Sequence, residues 1–561
     1  MGKAKSQADR KAGAAPTTID ATKDWVFDDA ARQRVERIFA SWDSTATPGM
    51  AVGIYREGEI VYTGGFGMAN LEHDIPITPD SIFHIASISK QFTDMCIAIL
   101  AAEGALDVDD DIRLYVPEVP DFGETITIRH LIHHVSGLRD QWMLLYLAGW
   151  RDEDLVTDAD VLDLVQRQKA LNFSPNTEYL YSNTGYTLLS IVVKRVSGLS
   201  LRQFAQARIF GPLGMTRTHF HDDHSEIVKG RTQAYEPRKG GGYHVSIPEF
   251  DVVGTTSLFT TVVDLAKWDG NFIHAQVGGP EVVAEMQRPG TFADGKPMTY
   301  AWGLSTDTYR GAAQIGHGGA DHGYRSDYFR LPEFGLTVTV LSNVSDSGPH
   351  ALATQVADAM IGDRLAPATV PGAAAAPGAR KAAPKPVAPA ALAGTWSSEK
   401  GTWLTVAARD GKAWLEMDEP WPLEDGGNGR FVHAASGMVV VPAADAASLD
   451  VTSGGETTTY ARMPRFQPGP EALAEVTGDY WSEELAVPYE IVRDGGEDGE
   501  TIAVRRRKFP DSTFRPLAED VFGRGSLDWG SVLRFQRDEA GAVTGFTMTA
   551  GRIRKLAFTK R

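Results

Sequence analysis

Ser81-Ile-Phe-His-Ile-Ala-Ser87-Ile-Ser-Lys90-Gln-Phe92 is the stretch on which the fold turns. From Ile85 onward the pattern becomes helical: Phe92, Cys96, Ile99 and Leu100 recur on one face and Gly104 closes the run. Ser87 and Lys90 are three positions apart and so share a face. The positive end of a helix favours negative charge on an attacking oxygen. A serine hydroxyl is a weak nucleophile and needs a base. A lysine serves only when neutral, and reaching neutral pH from about 10.4 costs roughly 4–5 kcal/mol. Burial and neighbouring cations can supply that. The pattern alone is weak, since Ser397-Ser-Glu-Lys400 repeats it in a β-type region, where it carries nothing.

Around this stretch the sequence reads as α+β. A helix with Val35, Ile38, Phe39 and Trp42 on one face starts near Asp28 or Asp29. Strand-like runs at Met50–Tyr55 and Ile60–Gly67 flank a turn at 56–59. Helical stretches are expected at 159–171, 186–196 and 257–269. Late strands are expected at 314–316, 324–331 and 336–342, followed by a helix at about 350–361. One sheet built from both ends of this segment would carry the helical middle on one side. Residues 1–23 read as a disordered tail, 24–364 as the α+β domain that carries Ser87 and Lys90, and 365–390 as an Ala/Pro-rich linker. Beyond the linker come short alternating strands with an internal echo. Leu392-Ala-Gly-Thr-Trp-Ser-Ser-Glu399 resembles Val476-Thr-Gly-Asp-Tyr-Trp-Ser-Glu483, with the glycines 84 residues apart. Two small antiparallel β-barrels, 391–467 and 468–561, fit that length.

Composition narrows the function. The 561 residues carry 55 basic and 73 acidic side chains, a net charge of −18. That argues against a general nucleic-acid binder and against docking on anionic lipid. The single cysteine, Cys96, excludes an intrachain disulfide and reads as a buried hydrophobe. No apolar stretch reaches the roughly 18 residues of a membrane span. No secretory signal is visible, so the expected setting is cytoplasmic.

Two further segments join Ser87 and Lys90. Tyr181-Ser182-Asn183 offers a phenol that could shuttle a proton, given a lowered pKa, and an amide for a carbonyl or the lysine. His317-Gly318-Gly319 offers a histidine and close backbone approach. In this order, with separations of 94 and 136 residues, the three resemble the penicillin-recognising serine hydrolases: class C β-lactamases, D,D-peptidases, D-aminopeptidases and related esterases. Supporting stretches include Leu131–Leu138, Gly211–Met215, Gly254–Asp264 and Tyr300–Leu304.

The resemblance implies a class C β-lactamase-like catalytic domain followed by two lipocalin-like barrels, the arrangement of D-aminopeptidases. It implies that Ser87 is acylated, that Lys90 and Tyr181 share base and proton-shuttle work in an undecided order, and that Asn183 orients substrate. The amides of Ser87 and Ala320 would form the oxyanion hole. His317 stands where β-lactamases carry a lysine. A mostly neutral histidine grips a substrate carboxylate poorly, which favours neutral amides, esters or amino-terminal peptides. The leading expectation is a D-stereospecific aminopeptidase or amidase. The alternatives are an esterase or a D,D-peptidase/β-lactamase-type hydrolase, and a non-catalytic binder on the same scaffold. The partner expected is a small peptide, amide or ester, and self-association into a homo-oligomer is left open. In D-aminopeptidases a loop of the last barrel enters the cleft. The matching segment is 505–512, whose cations would repel a substrate ammonium; a solvated strand-turn is the other reading of it.

Other polar clusters read more plainly. His219-Phe-His221-Asp-Asp-His224 has metal-like density, but a zinc site wants a fourth ligand and a fixed outer shell. A solvated loop is expected there, with no metal and no cofactor. His130, His133 and His134 read as helix-end packing. Asp140 and Trp142 are candidates to line the cleft, Asp140 as a partner for a substrate amine.

Overall fold

In the computed structural model the described residues are 23–367 and 388–561, apart from short stretches at 399–401, 418–419, 428, 434–435, 444–445, 454–455, 465, 495–500 and 528–529. The tail expected at 1–23 and the linker expected at 365–390 lie almost wholly outside them.

A six-stranded antiparallel sheet organises the first unit. Its order is Ser305–Tyr309, Ala312–Asp321, Tyr324–Leu331, Leu336–Ser342, Met50–Arg56 and Glu59–Phe66. Met50–Arg56 reads as an unbroken apolar run because both its faces are covered. Met50, Val52 and Ile54 pack with Val35 and Phe39 of helix Asp29–Phe39 and with Val356 and Ile361 of helix Pro349–Ile361. The opposite face meets the larger core of helices Lys90–Ala102, Asn183–Ser197 and Val262–His274. The first and last elements of the unit thus share one layer, as expected from the sequence.

Three expected elements differ in extent. The helix expected at 159–171 is Asp158–Arg167 and stops four residues earlier. Within 257–269, Leu258–Thr260 is a strand, and the helix starts only at Val262, capped by Thr261. An apolar run of this length does not separate strand from helix by periodicity. The strand expected at 314–316 instead runs from Ala312 to Asp321, so His317-Gly-Gly lies within it. Glycine's poor strand propensity hides this continuity, which pairing with Tyr324–Leu331 supplies. A three-stranded sheet sits beside the site: Phe83–His84, then Leu258–Thr260, then His219–Phe220.

Two closed antiparallel barrels of eight strands follow, Gly394 to Arg462 and Gly478 to Lys560. The echoed segments open both barrels in the same way. Gly394 and Gly478 have φ of +142° and +131°, a region that disfavours side chains. A Cβ there would meet Arg462 in one barrel and Lys560 in the other. Those cations lie over the buried rings of Trp396 and Tyr480. Trp396 Nε1 donates to Leu392 O, and Tyr480 Oη donates to Val476 O.

The second barrel shares a continuous core with the catalytic unit, whereas the first has its own. The docking is polar as well. Arg139 pairs with Glu484 at 3.0 Å, both buried, Tyr489 Oη donates to Leu147 O at 2.7 Å, and Asn172 exchanges hydrogen bonds with the backbone of Arg552 and Arg554. Among the described residues no helix is long and apolar enough to cross a membrane.

Candidate active site

Ala86–Ser89 forms a tight 3-10 turn that continues into helix Lys90–Ala102. In a 3-10 turn positions i and i+3 eclipse, which stacks Lys90 on Ser87. Ala86 holds φ at +49°, an uncommon value for a residue with a side chain. The turn is clamped on two sides. Ser326 Oγ donates to Ile85 O at 2.8 Å, and the amide of Leu258 donates to Ser89 Oγ at 3.0 Å. Strand Ala312–Asp321 passes so close that a Cβ on Gly319 would lie 2.4 Å from Ile85 O. Gly318, by contrast, leaves room for a Cβ, which would lie 3.8 Å from Asp327 Oδ1 and from Ser326 O.

Lys90 Nζ is fully buried and has three oxygen neighbours: Ser87 Oγ at 3.1 Å, Asn183 Oδ1 at 3.1 Å and Thr255 O at 2.7 Å. Two are carbonyl oxygens, which only accept. The third is a hydroxyl, which can donate. A neutral amine therefore fits without change: its two N–H groups donate to Asn183 and Thr255, and its lone pair faces the serine hydroxyl. Burial pushes the Lys90 pKa well below the usual lysine range, the Arg552 guanidinium lowers it further, and Asp140, Asp321 and Asp94 oppose.

Asn183 is held by Asp140, whose Oδ2 accepts from the Asn183 amide at 2.8 Å and from Nδ2 at 2.9 Å. Asp140 also caps helix Gln141–Leu147 and is 1% exposed. It is thus occupied in fixing Asn183, not free for a substrate amine as expected. Tyr181 is placed over the lysine, with Nζ 4.8 Å from its ring centre. Its hydroxyl is buried with no partner that meets hydrogen-bond geometry. Burial raises its pKa far above the ordinary phenol value, with Ser87 the nearest relief. The lowered pKa that a phenolate shuttle would need is absent. His134, which the sequence places in helix-end packing, packs beneath the Tyr181 ring at 4.1 Å between centres and accepts from the Ser182 amide at 3.1 Å.

His317 Nε2 lies 3.0 Å from Tyr300 Oη and Nδ1 lies 2.6 Å from Gly318 O. The neutral ring satisfies both contacts, with N–H to the carbonyl and Nε2 accepting from the phenol. Burial and the nearby Lys90 lower its pKa to about 4.

A cleft of about 1040 Å³ gathers these groups. Ser87, Tyr181, Asn183, His317, Gly318, Gly319 and Ala320 line it, with Lys90 beneath Ser87. Trp142, Tyr146, Trp150 and Phe250 make an apolar wall. Asp321 also lines it. Burial pushes its pKa up, but His322, His84 and Thr256 together hold it below the usual carboxylate value, so it stays charged.

Segment 505–512 behaves differently from expectation. Arg506 stacks on Tyr146 at 4.6 Å and Lys508 pairs with Asp154 at 3.0 Å, so these cations fasten the barrel to the rim. The barrel residue that enters the cleft is Arg552, in the turn before strand Ile553–Lys560. Its guanidinium lies 4.9 Å from the Tyr181 ring centre and 3.3 Å from Asp140 Oδ2. Nothing in a Gly-Arg turn so far along the chain marks it as a site residue; only the docking of the barrel does.

The Beta-lactamase family model matches residues 27–360. A D-aminopeptidase of Gluconobacter oxydans (strain 621H) is 31% identical over 445 residues, covering 78% of this chain and 80% of its own. A D-aminopeptidase of Cereibacter sphaeroides (strain ATCC 17023) is 27% identical over 527 residues, 91% and 96% of the two chains. Among solved structures, the octameric penicillin-binding protein homologue from Pyrococcus abyssi superimposes with a TM-score of 0.55 at 23% identity, covering 77% of this chain and 99% of that one. The family match spans the sheet, the serine turn and the strand that closes over it, and on that ground this chain belongs to the beta-lactamase family.

Proposed function

We propose that the chain is a serine hydrolase that removes an amino-terminal D-residue from small peptides and amides through an acyl-enzyme on Ser87. One observation carries the reading: Lys90 Nζ is buried within hydrogen-bond reach of the Ser87 hydroxyl, with the carbonyl oxygens of Asn183 and Thr255 as its other neighbours. Ser87 Oγ attacks the substrate carbonyl as Lys90 takes the hydroxyl proton. The new bond is Oγ–C, and the bond that breaks is the amide C–N. Tyr181, a neutral phenol, passes the proton to the departing amine by giving its own and receiving one from Lys90. Water then attacks the ester by the reverse path. The reading takes Lys90 as the base and Tyr181 as the relay, supported by a lysine pKa lowered by burial and a phenol pKa raised by it. The amides of Ser87 and Ala320 stabilise the oxyanion, a contribution worth about 10²–10³ in rate for each donor.

Substrate class follows from the lining. A neutral His317 gives no cation for a carboxylate beside the scissile bond. Asp321, next to Ala320, offers a carboxylate for a free ammonium, and the aromatic wall suits an apolar side chain. The names of the two curated relatives agree with a D-amino-terminal substrate. Self-association into a homo-oligomer belongs to the same proposal, since one structural neighbour is named an octamer; light scattering checks it. The function is tested with D- and L-alanine p-nitroanilide, p-nitrophenyl acetate and nitrocefin, with mass analysis of trapped adducts. Turnover of the D-anilide above the L-anilide and nitrocefin, with the acyl mass on the Ser87 peptide, is the expected result. Turnover of the simple ester alone defeats the peptidase reading, and a Ser87 peptide that never gains mass defeats the acyl-enzyme.

A further inference from the structure

His219-Phe-His221 is not a solvated loop. His219–Phe220 is the edge strand of the small sheet, and His221 continues it, its amide donating to Ser257 O at 2.8 Å. His219 and His221 therefore turn to one side. Glu226 reaches the same point, and one donor atom from each of the three lies within 4.8 Å of the others. His224 does not join them: its Nδ1 is 2.9 Å from Asp251 Oδ1.

The cluster is unsatisfied as it stands. His221 is 6% exposed, yet neither of its ring nitrogens has a hydrogen-bond partner, and Nε2 of His219 also lacks one. Buried polar atoms without partners are rare in native proteins. His221 Nδ1 and Glu226 Oε2 are 3.8 Å apart, too far for a hydrogen bond. That gap falls between the separation of about 3.3 Å across a tetrahedral zinc ion and about 4.2 Å across a linear one, given metal–ligand distances of about 2.0–2.2 Å. The outer shell is also in place. Arg202 donates to both oxygens of Glu226 at 2.6 and 2.9 Å and to Asp222 at 3.0 Å. This fixes the carboxylate's orientation, as outer-shell partners of metal ligands do. Asp222 balances the guanidinium charge. Two imidazoles with one carboxylate select a zinc-like ion over calcium or magnesium.

We propose that His219, His221 and Glu226 form a site for a divalent transition-metal ion of the zinc class, with water completing the coordination from the open cavity beside Glu226. The site is separate from the serine. It would pin the edge strand of the sheet whose opposite edge, Phe83–His84, leads into the nucleophile turn. No step of the hydrolysis passes through it.

The test uses the full-length protein, stripped with a chelator and titrated with Co²⁺, then with Zn²⁺ in competition. A visible Co²⁺ absorption saturating at one equivalent, reversed by Zn²⁺ and accompanied by a rise in Tm, is expected. His219→Gln and His221→Asn should each weaken binding by at least the about 10–100-fold that loss of an outer-shell partner costs. His224→Ala should leave it unchanged. His219 is only partly buried, so H219Q keeps the test open if H221N fails to fold, and its unchanged circular dichroism without metal certifies the comparison. Absence of a Co²⁺ band, undiminished affinity in H219Q, or loss of binding in H224A alone overturns the proposal.

Discussion

At the scale of single residues, the site is defined by which protonation state its neighbours will accept. Lys90 is surrounded by two pure acceptors and one hydroxyl, an arrangement that gives the uncharged amine a complete set of partners. Protonation at low pH converts the lone pair into a third donor and removes the base. Activity therefore falls as pH drops through the Lys90 pKa. The acid limb of kcat/KM should lie well below the ordinary lysine range, in the direction that burial sets. Asp321 makes a complementary prediction. Its carboxylate keeps its charge through Thr256 and His322, and Asp321→Asn keeps the shape while removing the charge. KM for a D-anilide with a free amine should rise about 10–100-fold, the size of a charged hydrogen bond, while an N-acetylated ester should be unaffected. Equal loss on both substrates would remove Asp321 from substrate recognition.

At the scale of elements, the site is a meeting of short pieces, each held by another. The 3-10 turn carrying Ser87 is fixed by Ser326 from one sheet and by Leu258 from the other. The turn containing Arg552 adds a cation from a different domain. Arg552 lowers the Lys90 pKa directly, and it also covers Asp140, whose own effect is to raise it. Removing the guanidinium deletes the first effect and exposes the second, so both push the same way. Arg552→Gln should shift the acid limb of kcat/KM to higher pH, and Arg552→Lys should restore most of the shift. A pH profile that does not move, with only KM altered, would leave Arg552 as a substrate contact rather than a positioning residue.

For the whole molecule, the second barrel is part of the enzyme's core. Its interior and that of the catalytic unit form one apolar cluster, and Arg139 and Glu484 are paired inside the boundary at 1% and 6% side-chain exposure. A buried pair yields little net stability, but breaking it strands a charge. Glu484→Ala should cost about 3–5 kcal/mol in chemical denaturation, whereas the double change R139M/E484L should be close to neutral or stabilising. A single variant as stable as the parent would mean that water reaches this boundary. The same docking carries Arg552 into the cleft. Loss of the barrel is therefore expected to damage catalysis as well as solubility.

Local patterns determined much of this protein. Helical spacing after Ile85, the unbroken apolar strand at Met50, the repeated glycine–aromatic start of the barrels, and three motifs in a fixed order are all readable from neighbouring residues. They pointed to the α+β unit and the two barrels, and only the resemblance to a hydrolase family picked out the eight residues that the fold gathers at the cleft and beneath it. The extent of strand Ala312–Asp321 was not readable, because glycine hides strand propensity and cross-strand pairing restores it. Nor were the occupation of Asp140, the position of His134 beneath Tyr181 or the entry of Arg552. Each depends on which surfaces come together after folding. Burial and through-space charge set the protonation of the lysine and the phenol, and neither quantity exists until distant segments share one interior.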